Sequence, residues 1–501
     1  MRKISSTMNE LEGSKHSGTF AISTSPKIYG ELSCAGQSSS VYLRDDEFFD
    51  VLNIPDQCIY GVLHDFTKVT LMNCVTTLGL GTHSHGEEKY HFANIFPHFV
   101  LFGDHHISPN DKDIAEVHFA IDDATTLFYD FDAFGSLLDA RPFIEQIANA
   151  NGLDREIPIG PDPEILYFAG RREIFATETS LGRISASHNP LHSVGGPDGV
   201  QLKNTIVVTI AFKDACTFND CIDQTLILLR FLELLLGHSQ GMKTLTLRTK
   251  FHNDRPSFLE VYWSNRPKRE PLHENQRPHP ADILLDAVDN PNAFSEVLTN
   301  WLERQRAWND ARLRFSNSFS QRHQYDIDRL VGAANMFDIL PASAVPSDMA
   351  LSEDLKHSME SCDKIFRALP RSPERDRILG ALGRMGKSVL KHKIRHRCQF
   401  LTEKVGGRFP DLFTVTDEAV NCRNHYVHGS ESKFDYNDKF EQVVFLTDTL
   451  EFVFAASDLI EAGWDVKSWC ESCASISHPF GLYLENYALN LQQLQALLSK
   501  A

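Results

Sequence analysis

The chain lacks any long apolar run of the kind that crosses a membrane or directs secretion. Such a span needs roughly 18 or more uncharged apolar residues, whereas the best candidate, residues 225–236, contains Arg230 and Glu233. The N-terminus begins MRKISSTMNELEGSKHSG, in which no apolar segment follows the basic residues. We therefore expect no membrane partner and a cytoplasmic location.

Positive charge is also scarce. The chain has 49 Lys and Arg against 67 Asp and Glu, which gives a formal net charge of -18. This composition excludes a protein that binds nucleic acid over its whole surface, because such binding needs many clustered cations. Any RNA binding must use a local basic cluster. The 10 cysteines are scattered, and only Cys470 and Cys473 form a close pair, which fits a reduced protein better than a disulfide framework.

Short segments rich in β-branched and aromatic residues, separated by turn residues, are present from about residue 18 to 263. One helix is expected among them, at 218–236, with Gly237 as its C-terminal cap. The predicted strands are 27–32, 40–43, 59–63, 68–74, 92–102, 114–119, 164–169, 173–179, 205–212, 243–249 and 258–263. Residues 18–263 are therefore expected to form a sandwich-like β-rich domain, after a disordered N-terminus at 1–17.

The character of the chain changes after a linker, residues 264–292, which contains four prolines between 264 and 281. Apolar residues then recur at helical spacing. The predicted helices are 293–315, 326–339, 352–369, 374–405, 411–428, 436–462 and 482–498. The predicted fold class is therefore α+β multidomain: a β-rich domain followed by an all-helical bundle at 293–501.

A basic run lies on the predicted helix 374–405. It contains Arg384, Lys387, Lys391, Lys393, Arg395 and Arg397. Lys387, Lys391 and Arg395 are four residues apart and would repel one another along one helical face, which a bound polyanion would offset. We therefore predict that Lys387, Lys391, Lys393, Arg395 and Arg397 bind RNA. The alternative is a solvated face beside acidic neighbours.

The segment Arg423-Asn424-His425-Tyr426-Val427-His428-Gly429 ends the predicted helix 411–428. Metal-free RNA cleavage needs a base, an acid and a cation at the phosphate, roles that histidine and arginine fill. Asn424 and His428 share a helical face, whereas Arg423 lies about 140° from His428 on an ideal helix. A long reach of the Arg423 side chain, or a loosened last turn, is needed for both to meet one phosphate.

A structural role for this segment is the alternative: Arg423 would pair with Asp417 or Glu418, and His428 would be an ordinary helix-end residue. Similar spacings occur at Arg183 to His188 and at Arg266 to His273, neither of which lies in a predicted helix.

The Arg-polar-x-x-x-His pattern of Arg423, Asn424 and His428, late in a helix of an all-helical domain, resembles the HEPN superfamily of ribonucleases and RNA-binding modules. The whole chain more specifically resembles the bacterial ApeA-type proteins, which pair a β-rich N-terminal domain with a C-terminal HEPN domain. The segments that carry this second resemblance are 29–32, 59–63 and 68–71.

The resemblance implies an anti-phage defence protein of the abortive-infection type. Its HEPN domain, with a core at about 350–480, would be a metal-independent endoribonuclease that cleaves host RNA, especially tRNA, with Arg423, Asn424 and His428 as catalytic residues. No metal or cofactor is implied. The implied partners are RNA, a second copy of the chain in a homodimer or higher even-numbered oligomer, and a phage-derived trigger sensed by the N-terminal domain.

Two other hypotheses remain open at the level of sequence. One is a catalytically inactive HEPN module that binds RNA or only dimerises. The other is a β-rich ligand-binding protein whose helical half is a scaffold. Two metal sites are weaker hypotheses, because neither has a regular ligand set. Their residues are His83, His85, His91, His98, His105, His106 and His118 for the first, and Cys470, Cys473 and His478 for the second.

Overall fold

The computed structural model divides the chain into two compact units, Met1–Thr299 and Asn300–Ala501. It describes residues 13–22, 27–49, 51, 54–76, 81–85, 88–150, 158–193, 197, 199–252, 255–269, 277–321, 324–347, 351–383, 385–386, 388–472 and 476–500. The division falls within one long helix. The β-rich N-terminal region and the all-helical C-terminal region of the predicted fold class are confirmed.

The first unit is built on antiparallel strands. They are β1 (Ser14–Ala21), β2 (Ile28–Ala35), β3 (Ser38–Asp45), β4 (Ile59–Leu63), β5 (Lys68–Met72), β6 (Val75–Thr76), β7 (Gly81–His85), β8 (Glu88–Phe96), β9 (Phe99–Gly103), β10 (Ile114–Ile121), β11 (Phe134–Leu137), β12 (Ile165–Phe168), β13 (Glu173–Thr179), β14 (Gly182–His192), β15 (Leu202–Cys216), β16 (Met242–His252) and β17 (Arg255–Trp263). Residues 14–17 of the expected disordered N-terminus thus begin β1.

The main sheet has 15 strands in the order β13-β14-β15-β10-β16-β17-β9-β5-β4-β1-β2-β3-β8-β6, with β7 paired to β8, while β11 and β12 form a second sheet. One face of the strands from β17 to β8 shares a single hydrophobic cluster that includes Phe20, Leu32, Val41, Val69 and Ile95. Alternation of buried and exposed residues produces this face, as β2 shows with its pattern of period two.

Several strand predictions needed correction. The predicted strand 92–102 is two strands, β8 and β9, because Pro97 lies between them and has no N–H to donate to a ladder. The sequence analysis also missed β1, β6, β7, β11 and β14. The inward positions of β14 include the small Ala186 and the polar His188. A strand with so few large apolar residues gives a weak periodic signal.

The helices are α1 (Ala124–Leu127), α2 (Arg141–Ala150), α3 (Phe218–Leu236), α4 (Pro291–Ser320), α5 (Ile327–Asp338), α6 (Glu353–Ala368), α7 (Pro373–Leu382), α8 (Leu390–Val405), α9 (Leu412–His428), α10 (Phe440–Ala462), α11 (Val466–Ser472) and α12 (Pro479–Leu498). The predicted helix 374–405 is wrong, since it is divided into α7 and α8. Gly386 adopts a φ of 81° between them, a conformation that a continuous right-handed helix does not contain. The short helices α1, α2 and α11 were missed.

Helix α10 lies at the centre of the second unit and is buried along most of its length. Two of its carboxylates hold buried arginines. Asp458 accepts hydrogen bonds from Arg312 at 2.9 and 3.0 Å, and Glu451 accepts from Arg329 at 2.7 and 3.0 Å. Such pairs are costly to break singly, so they fix α4 and α5 against α10. Among the described helices, none is long and apolar enough to cross a membrane.

Candidate active site

The predicted motif lies at the C-terminal end of α9. Gly429 follows the helix with a φ of 68°, and its N–H donates to the His425 carbonyl at 2.9 Å. A glycine in this left-handed conformation is a common helix terminator. Leu412, Val415 and Cys422 face the core, whereas His428 is exposed. The motif is therefore presented at the surface by a helix that is anchored at its other face.

Arg423 and His428 meet within one chain. Arg423 Nη1 lies 3.1 Å from His428 Nε2, so the length of the arginine side chain spans the angle that separates the two positions. A guanidinium group can only donate hydrogen bonds. Nε2 of His428 must therefore accept, which means that this nitrogen carries no proton in this conformation. An unprotonated imidazole nitrogen beside a phosphate-binding cation is a candidate general base.

Two amides hold the guanidinium of Arg423. Nη1 also donates to Asn424 Oδ1 at 3.0 Å, and Nη2 donates to Asn335 Oδ1 at 3.0 Å. Asn335 lies on α5 and was missed by the sequence analysis. Because it is 88 residues from Arg423, no local spacing could have indicated it. Both partners are uncharged, so neither neutralises the arginine.

The nearby acids have other partners. Asp417 pairs with Arg395 on α8. Glu418 is buried and accepts from Tyr436 Oη at 2.7 Å, and Lys433 Nζ lies 3.2 Å from its other oxygen. The structure therefore does not contain the ion pair of Arg423 with Asp417 or Glu418 that the structural alternative requires.

The basic run is largely occupied by contacts within the protein. Lys391 Nζ donates to Asn421 Oδ1 at 2.7 Å, Lys393 Nζ donates to the Asp338 carbonyl at 2.9 Å, and Arg395 pairs with Asp417. Lys387 lies outside the described residues.

Arg397 requires a correction. It is only 1% exposed and donates to Ser457 Oγ at 2.9 Å and to Glu461 Oε2 at 2.8 Å. Its side chain points into the core because positions 394, 397, 398 and 401 form the buried face of α8. Arg397 is therefore a core residue in this structure and offers no surface for RNA.

Cys422, which adjoins the motif, and Cys398 on α8 are poorly suited to act as nucleophiles. Burial, with a smaller contribution from Glu418, raises the pKa of the Cys422 thiol to about 12. Burial likewise raises the pKa of Cys398 to about 12. Both thiols stay protonated at neutral pH, and a protonated thiol is a poor nucleophile.

Neither predicted metal site has a ligand set among the residues that the structure describes. Within the described part of the chain, no group of three or more His, Cys, Asp and Glu residues is arranged to hold a metal ion. His98 accepts from Trp263 Nε1 at 3.1 Å, and His105 lies in hydrogen-bond range of Ser257 and Thr249. The side chain of His85 and all of Cys473 lie outside the described residues.

Two family models match the chain. The model for ApeA N-terminal domain 1 matches residues 15–301, and the model for Apea-like HEPN matches residues 331–468. Asn335 and the Arg423–His428 segment both lie within the second match. Among curated proteins and solved structures, no significant match is found. Because the first model alone covers more than half of the chain and the second covers the candidate site, the chain belongs to the ApeA-like family of HEPN proteins of anti-phage defence.

Proposed function

We propose that this protein is a metal-independent endoribonuclease that cleaves host RNA, with tRNA as the expected class, when a phage-derived trigger is present. The observation that carries this proposal is the 3.1 Å contact between Arg423 Nη1 and His428 Nε2 at an exposed helix end. It brings a cation without an acidic partner among its described contacts next to an unprotonated imidazole nitrogen.

The chemistry that fits this pair is attack of a ribose 2′-oxygen on the adjacent phosphorus. His428 Nε2 takes the proton of the 2′-hydroxyl, the bond from phosphorus to the 5′-oxygen breaks, and a 2′,3′-cyclic phosphate forms. Arg423 exchanges its hydrogen bond to His428 for a phosphate oxygen and stabilises the charge that grows there. Asn335 and Asn424 keep the guanidinium in place during the exchange.

The leaving 5′-oxygen needs a proton, which one neutral histidine cannot supply while it acts as the base. A second copy of the chain would place a second Arg423–His428 pair opposite the first. The His428 of one protomer then acts as the base. The His428 of the other protomer, in its protonated form, acts as the acid. Cleavage is accordingly expected from an even-numbered oligomer.

The test is RNA cleavage by the full chain with His428→Ala and Arg423→Lys. His428→Ala removes the base and should lower the cleavage rate by about 100-fold or more. Arg423→Lys keeps the charge but loses the fork that holds two phosphate oxygens, so a clear loss is expected there too. Unchanged cleavage and toxicity in both variants would mean that the Arg423–His428 pair does not carry the cleavage, and would overturn the proposal.

Metal independence and substrate class are tested in the same assay. Cleavage should persist in excess EDTA and leave a 2′,3′-cyclic phosphate end. Sequencing of RNA ends after phage infection should show cuts that depend on His428 and are concentrated in tRNA. Loss of cleavage in EDTA contradicts the metal-free mechanism, and cuts in other RNA classes redirect only the choice of substrate.

The N-terminal unit is proposed to sense the trigger and to restrain the nuclease. Deletion of residues 1–283 should change either the toxicity of the chain in uninfected cells or its response to phage. A parallel His428→Ala deletion variant separates nuclease toxicity from the effects of misfolding. If the deletion alters neither toxicity nor phage response, the sensor role is lost while the nuclease remains.

A further inference from the structure

A cavity of about 240 Å³ opens beside α8 in the helical unit. Its polar lining consists of Ser347, Ser388, His392, Arg395, His396 and Gln399. The last four lie on one face of α8, since they are spaced by three and four residues. No carboxylate is found among the described residues that line it. The cavity is therefore rich in side chains that can donate hydrogen bonds to an anion.

The pairing of α8 with α9 places this cavity relative to the motif. Lys391 contacts Asn421, and Arg395 contacts Asp417. Four residues forward on α8 thus correspond to four residues back on α9, so the helices are antiparallel. In this register Leu390, the first residue of α8, is level with Cys422, and Ser388 precedes Leu390 by two residues. The cavity therefore begins at the end of the helix pair that carries the motif.

The same register gives approximate distances along the helix axis. His392 is level with Val420 and His396 with Thr416. At about 1.5 Å per residue, these levels lie roughly 4.5 and 10 Å from Arg423. A nucleic-acid strand advances about 3.4 Å per nucleotide in a stacked helix. The cavity therefore lies about one to three nucleotides from a phosphate bound at Arg423.

The α8 residues that line the cavity also differ in their contacts from the lysines of the same helix. Lys391 and Lys393 are tied to Asn421 and Asp338, whereas His392 and Gln399 are exposed and face the cavity. Arg395 remains 49% exposed although it pairs with Asp417. Imidazole, guanidinium and amide groups bind RNA phosphate and also stack on unpaired bases.

We propose that this cavity is a subsite for the RNA strand, which binds a backbone phosphate and its nucleotide one to three positions from the cleaved bond. This inference rests on the proposed nuclease function, since it takes Arg423 as the site of the cleaved phosphate. The face of α8 that carries His392 and His396, rather than Lys391 and Lys393, then makes the RNA contacts of this helix.

The experiment measures RNA affinity in the full chain with cleavage blocked by His428→Ala. On that background, His392→Ala combined with His396→Ala should weaken tRNA binding on the order of 10-fold. His357→Ala, an exposed histidine on α6, is the matched control and should leave the affinity unchanged.

A second variant provides the same test if the double alanine variant does not fold. Gln399→Glu places a carboxylate at an exposed position of the cavity and should weaken RNA binding through repulsion. Unchanged RNA affinity in a folded His392/His396 or Gln399 variant overturns the subsite.

The experiments can contradict the nuclease function and the RNA subsite independently of each other. If the parent chain cleaves no RNA, the nuclease function fails, but weaker RNA binding by the cavity variants still supports the RNA subsite. A free nucleotide is the other source of the same phosphate chemistry, and its binding is measured directly with ATP and with inorganic phosphate. Loss of ATP binding in the cavity variants with full RNA affinity makes the cavity a nucleotide site and overturns the RNA subsite.

Discussion

The same residue spacing occurs in both units and produces opposite arrangements. Arg183 and His188 lie on β14, where residues five positions apart point to opposite faces of the sheet. Arg183 is exposed and His188 is buried. Arg423 and His428, with the identical spacing, are 3.1 Å apart at the end of α9. The secondary structure, and not the spacing, decides whether an arginine and a histidine form a site.

The partners of the two pairs differ as well. Arg183 pairs with Glu173 at 2.8 Å, and the buried His188 lies 3.4 Å from Asp130 and 2.9 Å from Asn204 Nδ2. Both members of the β14 pair thus have an acidic partner. The contacts described for Arg423 are to amide oxygens and an imidazole nitrogen, so its positive charge stays uncompensated and can attract a phosphate.

The largest expected effect separates the two arginines directly. Arg423→Ala should lower RNA cleavage by roughly 100- to 1,000-fold, because the transition state loses its cation. Arg183→Ala removes only an exposed ion pair and should leave the cleavage rate within about 2-fold. Single-turnover cleavage of tRNA by the two variants makes the comparison. Equal losses would mean that the β14 pair also acts in catalysis.

Asn335→Asp would give Arg423 an acidic partner, such as the one that Arg183 has on β14. The new carboxylate would hold Arg423 more tightly but neutralise its charge, so cleavage should fall by roughly 10- to 100-fold. Asn335→Ala loses the hydrogen bond but keeps the charge uncompensated, and a smaller loss is expected. Cleavage rates and thermal unfolding of both variants decide the point. A greater loss in the alanine variant would show that position matters more than charge.

The sequence predicted the residues of the motif but not the contacts that position them. Repeated apolar spacing indicated α9, and Gly429 marked its end, because both signals are local in the chain. Asn335 could not be found, since its contact with Arg423 depends on how α5 packs against α9. The burial of Arg397 likewise depends on which face of α8 meets the core. A basic run shows its charges and not the direction of each side chain.

The contact between His188 and Asp130 is expected to affect the stability of the first unit and not RNA cleavage. Burial alone would raise the pKa of Asp130, but hydrogen bonds with Arg171 and His188 outweigh it and hold that pKa below the ordinary value. The ionised carboxylate therefore stabilises the first unit above about pH 3.9, and this contribution is lost as pH falls through the lowered pKa.

His188→Ala should accordingly lower the free energy of unfolding of the first unit by about 1–3 kcal/mol at neutral pH. It should also reduce the further loss of stability in acid, because Asp130 then titrates closer to its ordinary value. Urea unfolding at several pH values measures both effects. Unchanged acid sensitivity would mean that Arg171 alone sets the pKa of Asp130, and a loss of cleavage would assign His188 a role in catalysis.

The smallest effect is expected at the glycine that ends α9. A side chain at Gly429 would meet no atom within 4 Å, so Gly429→Ala costs only the strain of a φ of 68°, on the order of 1 kcal/mol. If the tight final turn positions His428 against Arg423, relief of that strain should loosen the turn and lower cleavage a few-fold. Gly429→Asn, which tolerates the left-handed conformation better, should recover most of the activity. Cleavage that is equal in the alanine, asparagine and parent chains would show that the long Arg423 side chain makes the contact without help from the cap.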